Sequence, residues 1–271
     1  MVVVDGIRTH YWSAGERRNP TLVMLHGGEF GASAELSFEN NIETLGETFF
    51  VLAPDMIGFG LTDKIVEFGL RMRHERRIKH LSRFLDVLDI KRAHFVGNSL
   101  GGSVILHDLL ADIPRLPVIT LTSICGAPPN NEAARSVLQS FDGTRESMKG
   151  IVKLLLHEER WLEDEYVERR YQSALIPGAF EAAAAARLCL PSSQIRAPSP
   201  PNFSAYTRIH VSTLLIAGAR DQCCPGWSEA AAAAISGSRL EMFRDSAHCA
   251  QLEEPTLFNE MLIDFVSTAS G

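Results

Sequence analysis

No stretch of this chain approaches the ~20 consecutive apolar residues that a membrane-crossing helix needs, so a spanning segment is excluded as its organising feature. A basic start followed by a long apolar run is also missing. Met1-Val2-Val3-Val4 already turns polar at Asp5-Gly6, and no secretory leader is read there. Cysteine is scarce, at 5 in 271 residues. Cys125, Cys189, Cys223, Cys224 and Cys249 are odd in number and lack the spacing of a disulfide framework. Free thiols in a reducing compartment are expected, and hence a cytoplasmic protein. An excess of positive charge is absent too. Against 26 Lys and Arg stand 33 Asp and Glu, a formal net charge of -7. That excludes nucleic acid and an anionic membrane surface as main partners. No pair of histidines has metal-ligand spacing, so no metal is expected.

What is present is a large store of core residues: 45% of the chain is hydrophobic and 22% charged. This is enough for one domain, or one domain with an insertion. The stretch that organises it is Phe95-Val96-Gly97-Asn98-Ser99-Leu100-Gly101-Gly102. Ala93 to Val96 reads as a buried strand and Ser103 to Leu110 as an apolar helix. Gly-x-Ser-x-Gly between strand and helix is the context of a nucleophile elbow. Ser99 must stand clear of the sheet on a sharp turn, and Gly97 and Gly101 lie where side chains would collide.

In chain order, Val2 to Val4 and His10 to Ser13 read as two short strands joined by an Asp5-Gly6 turn. Thr21 to Leu25 reads as a central strand ending at His26-Gly27-Gly28-Glu29-Phe30-Gly31. In a serine hydrolase this loop supplies an oxyanion N–H, from around Gly28 or Glu29, beside that of Leu100. His26 is read as a structural hydrogen-bonding residue. Phe38 to Leu45 predicts a helix and Phe49 to Ala53 a strand. Asp55, in the turn-rich loop after it, is a catalytic carboxylate or, more simply, a loop hydrogen-bonding residue. Ile78, Leu81, Phe84, Leu85 and Leu88 recur at helical spacing. Arg71, Arg73, Arg76, Arg77 and Lys79 read as a solvated basic face. Val118 to Ile124 is another strand. Strands alternating with helices predict an α/β fold, a mostly parallel central sheet flanked by helices.

The pattern then changes. From Pro128 to Tyr206 helical stretches dominate: Arg145 to His157, Glu163 to Ser173 and Phe180 to Leu190. Turn-rich Pro191-Ser192-Ser193 and Ala197-Pro198-Ser199-Pro200-Pro201 close the region. This reads as a helical cap, residues 128–206, inserted into a core domain of residues 1–127 and 207–271. Val211 to Ala217 resumes the sheet and leads to Asp221. Arg239 to Phe243 is the last strand and leads to His248, ahead of a helix from Thr256 to Val266. Ser99, Asp221 and His248 follow the order nucleophile, acid, base, and catalytic groups gather at the carboxyl edge of such sheets.

The chain resembles the α/β-hydrolase family from end to end. It looks most like the meta-cleavage-product hydrolases, which cut carbon–carbon bonds in 2-hydroxy-6-oxohexa-2,4-dienoates. The residues that carry the resemblance are His26-Gly27-Gly28 with Gly31-Ala32, Asp55-x-x-Gly58-Phe59-Gly60, Gly97-Asn98-Ser99-Leu100-Gly101-Gly102, Gly218-x-x-Asp221, and His248-Cys249-Ala250-Gln251-Leu252-Glu253 with Phe258-Asn259. The resemblance implies the α/β-hydrolase fold, a small-molecule substrate, no cofactor, and compatibility with a homodimer. It further implies that Arg170, with Arg169 as a neighbouring rival, holds the substrate carboxylate. A planar guanidinium suits that task. Asn98 and Asn41, the latter beside Asn40, match asparagines that hydrogen-bond near the dienoate.

Two positions depart from the family. Glu29 stands at a usual glycine, and a carboxylate there repels an anionic substrate unless it points away. Cys249 stands at a frequent tryptophan, which opens space beside the acyl part of the substrate. A carboxylesterase or lactonase using the same triad is the alternative. Epoxide hydrolases and haloalkane dehalogenases carry aspartate where Ser99 stands. A ligand-sensing protein on the same fold would keep the pocket without turnover.

Overall fold

In the central strands apolar residues follow one another without alternation, which a strand needs only when both its faces are buried. The computed structural model, which describes residues 1–66, 72–128, 130–185 and 203–269, has that arrangement. Strands β1 (Val2–Val4) and β2 (Ile7–Thr9) form a separate hairpin. A seven-stranded sheet is made by β3 (Tyr11–Ala14), β4 (Thr21–Leu25), β5 (Phe50–Pro54), β6 (Ala93–Asn98), β7 (Val118–Ile124), β8 (Ser212–Gly218) and β9 (Arg239–Phe243). Its order is β3-β5-β4-β6-β7-β8-β9; β3 pairs antiparallel at one edge and the remaining pairs are parallel.

Parallel neighbours need crossovers, and helices supply them. In chain order these are α1 (Ala34–Phe38), α2 (Ile42–Gly46), α3 (Met72–Val87), α4 (Leu100–Leu109), α5 (Glu132–Gln139), α6 (Arg145–Leu155), α7 (Asp164–Ala174), α8 (Ala179–Ala185), α9 (Trp227–Ala234), α10 (Ala250–Glu253) and α11 (Pro255–Ala269). Leu22, Met24, Val96, Leu214 and Ile216 face Phe38 and Leu45 from α1 and α2 and Phe258 and Leu262 from α11. Val23, Leu25, Phe95 and Leu215 point the other way, onto Phe84 of α3, Val104 of α4 and Trp227 of α9. Neighbouring residues of one strand thus serve opposite faces, as the pleat requires. A third apolar cluster joins Ile151, Leu155, Trp161 and Val167 from the helices between β7 and β8 to Phe30, Leu36 and Leu252 of the sheet unit. Among the described residues no helix is long and apolar enough to cross a membrane.

Several local expectations are corrected. The Asp5-Gly6 turn exists, with φ of 47° and 84°. Its partner strand is Ile7–Thr9, because a two-residue turn pairs Val4 directly with Ile7. Tyr11–Ala14 instead joins the main sheet against β5. The helix expected over Phe38 to Leu45 is two helices, broken at Asn41, whose side-chain Nδ2 donates to Gln251 O at 3.0 Å and Asn259 Oδ1 at 2.9 Å. Helix α5 was not expected. Its signal is Asn131, whose Oδ1 accepts from Ala134 N at 2.8 Å, an N-cap ahead of a helix-favouring run. The end of the helix expected at Phe180 to Leu190, the proline-rich return, Cys189, Arg71 and the Arg73 side chain lie outside the described residues.

His80 of α3 couples this fold to pH. Its Nε2 lies 2.9 Å from Thr9 Oγ1 of β2. Burial lowers the imidazole from 6.5 to about 4. Between those values the unfolded chain binds a proton that the folded chain refuses. The stability is therefore complete above the unfolded value and is lost as pH falls toward the folded one. The melting temperature of wild type is expected to fall more steeply over that window than that of His80→Gln. Equal slopes in thermal scans would remove His80 as a cause.

Candidate active site

Between the last residue of β6, Asn98, and the first of α4, Leu100, only Ser99 is left to turn the chain. It does so at φ 50° and ψ -112°, a conformation that non-glycine residues avoid. Its surroundings explain the flanking glycines. A Cβ on Gly97 would lie 2.3 Å from Gly102 N, and one on Gly101 would lie 2.2 Å from Leu25 O. Ser99 N donates to Ile124 O of β7 at 2.9 Å, which ties the elbow to the neighbouring strand. Leu100 opens α4, so its N–H has no acceptor within the helix. The loop after β4 packs directly on it: a Cβ on Gly28 would fall 2.6 Å from Leu100 Cδ2.

Asp221 follows β8 and His248 follows β9. The two loops touch so closely that a Cβ on Gly218 would meet Ala247 O at 1.8 Å. His248 Nδ1 lies 3.1 Å from Asp221 Oδ1, and both side chains are buried. Asp221 also accepts from Cys223 N at 2.7 Å and Cys224 N at 3.3 Å. Burial alone would raise the Asp221 carboxyl, but the imidazole of His248, the Cys224 thiol and the Cys223 N–H hold it well below its ordinary value. For His248 burial works to lower the imidazole. The neighbouring Cys223 and Asp221, with the hydrogen bond to Asp221, carry it well above 6.5 instead. The His248 backbone is fixed from two sides: its N donates to Leu155 O of α6 at 3.0 Å, and its O accepts from Asn98 Nδ2 at 3.0 Å. Since Asn98 adjoins Ser99, this bond sets the histidine loop beside the elbow.

The other candidate acid, Asp55, is engaged elsewhere. It accepts from His10 Nδ1 at 2.8 Å, Ala34 N at 2.7 Å and Leu61 N at 2.9 Å. His26 holds the loop: its Nε2 accepts from Met56 N at 2.9 Å, and its Nδ1 faces Gly27 O at 2.6 Å.

Glu29 does not point away from the site. Its Oε1 accepts from Arg170 Nη2 in a dry ion pair, with side chains 6% and 1% exposed. Burial would raise the Glu29 carboxyl. The Arg170 guanidinium, helped by the Glu29 N–H, holds it below its ordinary value. Arg170 Nη1 donates to Tyr166 Oη at 3.0 Å, and Tyr166 Oη donates to Leu36 O at 3.0 Å. A Cβ on Gly31 (φ 74°) would meet Arg170 O at 2.2 Å, so α7 sits against the loop itself. Arg170 Nε has no hydrogen-bond partner among the described residues. The rival Arg169 pairs with Glu39 at 2.7 Å and Glu35 at 3.4 Å on the surface. Asn41, fully buried under α10, uses its Nδ2 as described above, and Asn98 uses its own on His248 O. Cys249 Sγ lies 3.7 Å from Asn98 Oδ1, and burial pushes its thiol up.

Three residues near the histidine were not singled out in the sequence. Glu253 accepts from Ala247 N at 2.7 Å and from His157 N and Glu158 N, so it clamps the histidine loop to the end of α6. Its signal was its place in the run His248 to Glu253. Cys125, just after β7, and Cys224 bring sulfur to the Asp221–His248 pair. Cys224 Sγ lies 3.1 Å from Asp221 Oδ2 and 4.0 Å from His248 Nδ1. Ligand atoms of Cys125, Asp221, Cys224 and His248 all lie within 4.8 Å of one another, a grouping that could hold a cation.

The comparisons follow the same lines. The chain is 25% identical over 271 residues to a 2-hydroxymuconate semialdehyde hydrolase of Pseudomonas sp. (strain CF600), covering 100% of this chain and 94% of the relative. It is 29% identical to a 2-hydroxy-6-oxononadienedioate/2-hydroxy-6-oxononatrienedioate hydrolase of Pseudomonas putida, covering 96% of this chain and 92% of the relative. A crystal structure of a serine hydrolase involved in carbazole degradation superposes with a TM-score of 0.81 at 26% identity, over 98% of this chain and 97% of the other. Residues 22–261 match the model of the alpha/beta hydrolase family. With its mostly parallel sheet, its serine elbow and that match, the chain belongs to the alpha/beta hydrolase family.

Proposed function

We propose that this chain is a serine-dependent hydrolase that cleaves the C5–C6 bond of a 2-hydroxy-6-oxohexa-2,4-dienoate. The observation that carries the reading is Ser99 on its strained elbow, with the buried His248–Asp221 pair tied alongside by Asn98. The substrate class is supported by the full-length similarity to two hydrolases named for such dienoates and their diacids. The cap reading of residues 128–206 is supported by α6 and α7, which pack on Phe30, Leu36 and Leu252.

His248 first moves a proton so that the dienol becomes its keto tautomer. Ser99 Oγ then attacks the C6 ketone as His248 takes its proton, with Asp221 orienting the imidazole. The Leu100 N–H and the Gly28–Glu29 loop face the oxyanion. As the C6–O double bond re-forms, the C5–C6 electron pair leaves with C5. The pair is delocalised through C4 and C3 onto the 2-oxygen, which takes the proton back from His248, releasing a 2-hydroxypenta-2,4-dienoate. Water, activated by His248, then frees a carboxylic acid from Ser99. In this structure Ser99 Oγ has no hydrogen bond among the described residues; nucleophile–base contacts of free enzymes tighten when substrate binds.

The Glu29–Arg170 pair favours a second reading, a carboxylesterase or lactonase. Its cation is already neutralised, and a neutral ester needs no anion subsite. A spectrophotometric assay separates the two. Wild type is expected to bleach the yellow dienoate, and Ser99→Ala to lose at least about 10⁴-fold in turnover. An inert dienoate with a rapidly cleaved p-nitrophenyl ester would leave the esterase.

The same pair makes a paired prediction. Glu29→Gly frees Arg170, so KM for the dienoate is expected to fall roughly tenfold, the effect of one charge-assisted hydrogen bond, while KM for the neutral ester stays. Arg170→Met alone leaves a buried unpaired carboxylate and is expected to cost about 3–5 kcal/mol in denaturant unfolding. Glu29→Gln with Arg170→Met should recover most of that loss. A double variant no more stable than Arg170→Met would contradict the pairing.

A further inference from the structure

The two cysteines beside the acid–base pair have no part in the reaction above. Cys125 directly follows β7, Asp221 and Cys224 lie on the loop after β8, and His248 lies on the loop after β9. These strands are successive in the sheet, so their carboxyl ends deliver all four side chains to one spot. Each backbone is fixed before any ligand arrives. Cys125 is held at φ 45°, with its N donating to Ile216 O at 3.0 Å, and Cys224 N donates to Asp221 Oδ2 at 3.3 Å. The thiols do not lie among apolar groups alone. Cys224 Sγ faces Asp221 Oδ2 at 3.1 Å and His248 Nδ1 at 4.0 Å.

We infer that Cys125, Cys224, Asp221 and His248 form a zinc site whose occupation switches the hydrolase off. Two sulfurs, an imidazole nitrogen and a carboxylate oxygen are the donors that a tetrahedral Zn²⁺ selects. With bonds of about 2.0–2.3 Å, the edges of such a tetrahedron run roughly 3.3–3.8 Å. The measured separations, 3.1 Å for His248 Nδ1 to Asp221 Oδ1, 4.0 Å for Cys224 Sγ to His248 Nδ1 and 4.8 Å at most, straddle that range. Side-chain rotation closes the rest. A monovalent or hard cation is a poor match, because half the donors are sulfur.

Inhibition follows from the tautomer. Zn²⁺ on His248 Nδ1 displaces the Nδ1 proton and removes the bond to Asp221. The neutral ring then carries its proton on Nε2, the nitrogen that would accept the proton of Ser99. The two thiols give up their protons to solvent as the metal binds. That His248 is the base belongs to the function proposed above, whereas metal binding does not depend on it.

The test uses reduced, full-length protein with Co²⁺ as a spectroscopic substitute and Zn²⁺ as the inhibitor. Wild type is expected to show a near-ultraviolet thiolate-to-cobalt charge-transfer band at one equivalent, displaced by Zn²⁺ and abolished by chelator. Ester hydrolysis is expected to fall with the same Zn²⁺ dependence and return with chelator. Cys125→Ser and Cys224→Ser should each weaken cobalt binding by at least about 100-fold, with circular dichroism showing that the variants fold. A wild type without the band overturns the site, as does a band retained in both folded variants. A band without inhibition overturns the switch. Because the band needs no turnover, an inactive dienoate assay leaves this test intact.

Discussion

Ser99 keeps a backbone conformation that serine avoids because the chain around it is too tight to relax. Gly102 N stands over Gly97, and Leu25 O stands over Gly101, each closer than any side chain allows. Relaxing Ser99 would move the end of β6, which is hydrogen-bonded between β4 and β7. The strain is of order 1–3 kcal/mol, and two buried sheet faces offset it. The core thus supports more than shape: it holds a hydroxyl out from the sheet edge at the mouth of a new helix.

That edge is where distant parts of the chain meet. Asp221 and His248 arrive from the two strands beyond β7, and Asn98 stitches the histidine loop to the elbow. The helices between β7 and β8 hold the loop from the other side through Leu155 O and through His157 N and Glu158 N, which donate to Glu253 of α10. The histidine is therefore positioned jointly by the sheet and by those helices, so their packing bears directly on the chemistry.

Glu29 and Arg170 give this site its own character. An arginine that resembles a carboxylate-binding residue already has a carboxylate, supplied by the oxyanion loop. Within a dry site the pair is stable only as a pair, since either charge alone is costly to bury. Of the Arg170 guanidinium, Nε alone is left without a hydrogen-bond partner among the described residues. Cys249 sits on Asn98, its Sγ 3.7 Å from the Asn98 Oδ1.

Local pattern determined a good deal by itself. Apolar runs bounded by turn residues located the strands from Thr21 to Gly218, because burial on both faces leaves that mark in composition. The spacing of Gly97, Ser99 and Gly101 located the elbow, because only glycine tolerates such close approach. Chain order separated Asp221 from Asp55, and the structure sets the former at His248 and the latter at His10. Only tertiary structure decided who partners whom across the chain. Arg170 and Glu29 are 141 residues apart, and neither periodicity nor spacing records such a meeting. The amides of Asn41 and Asn98 bond to Gln251, Asn259 and His248 for the same reason. Cys125 and Cys224 look unrelated in sequence, yet adjacent parallel strands bring their sulfurs together, since a parallel sheet collects its carboxyl ends along one edge.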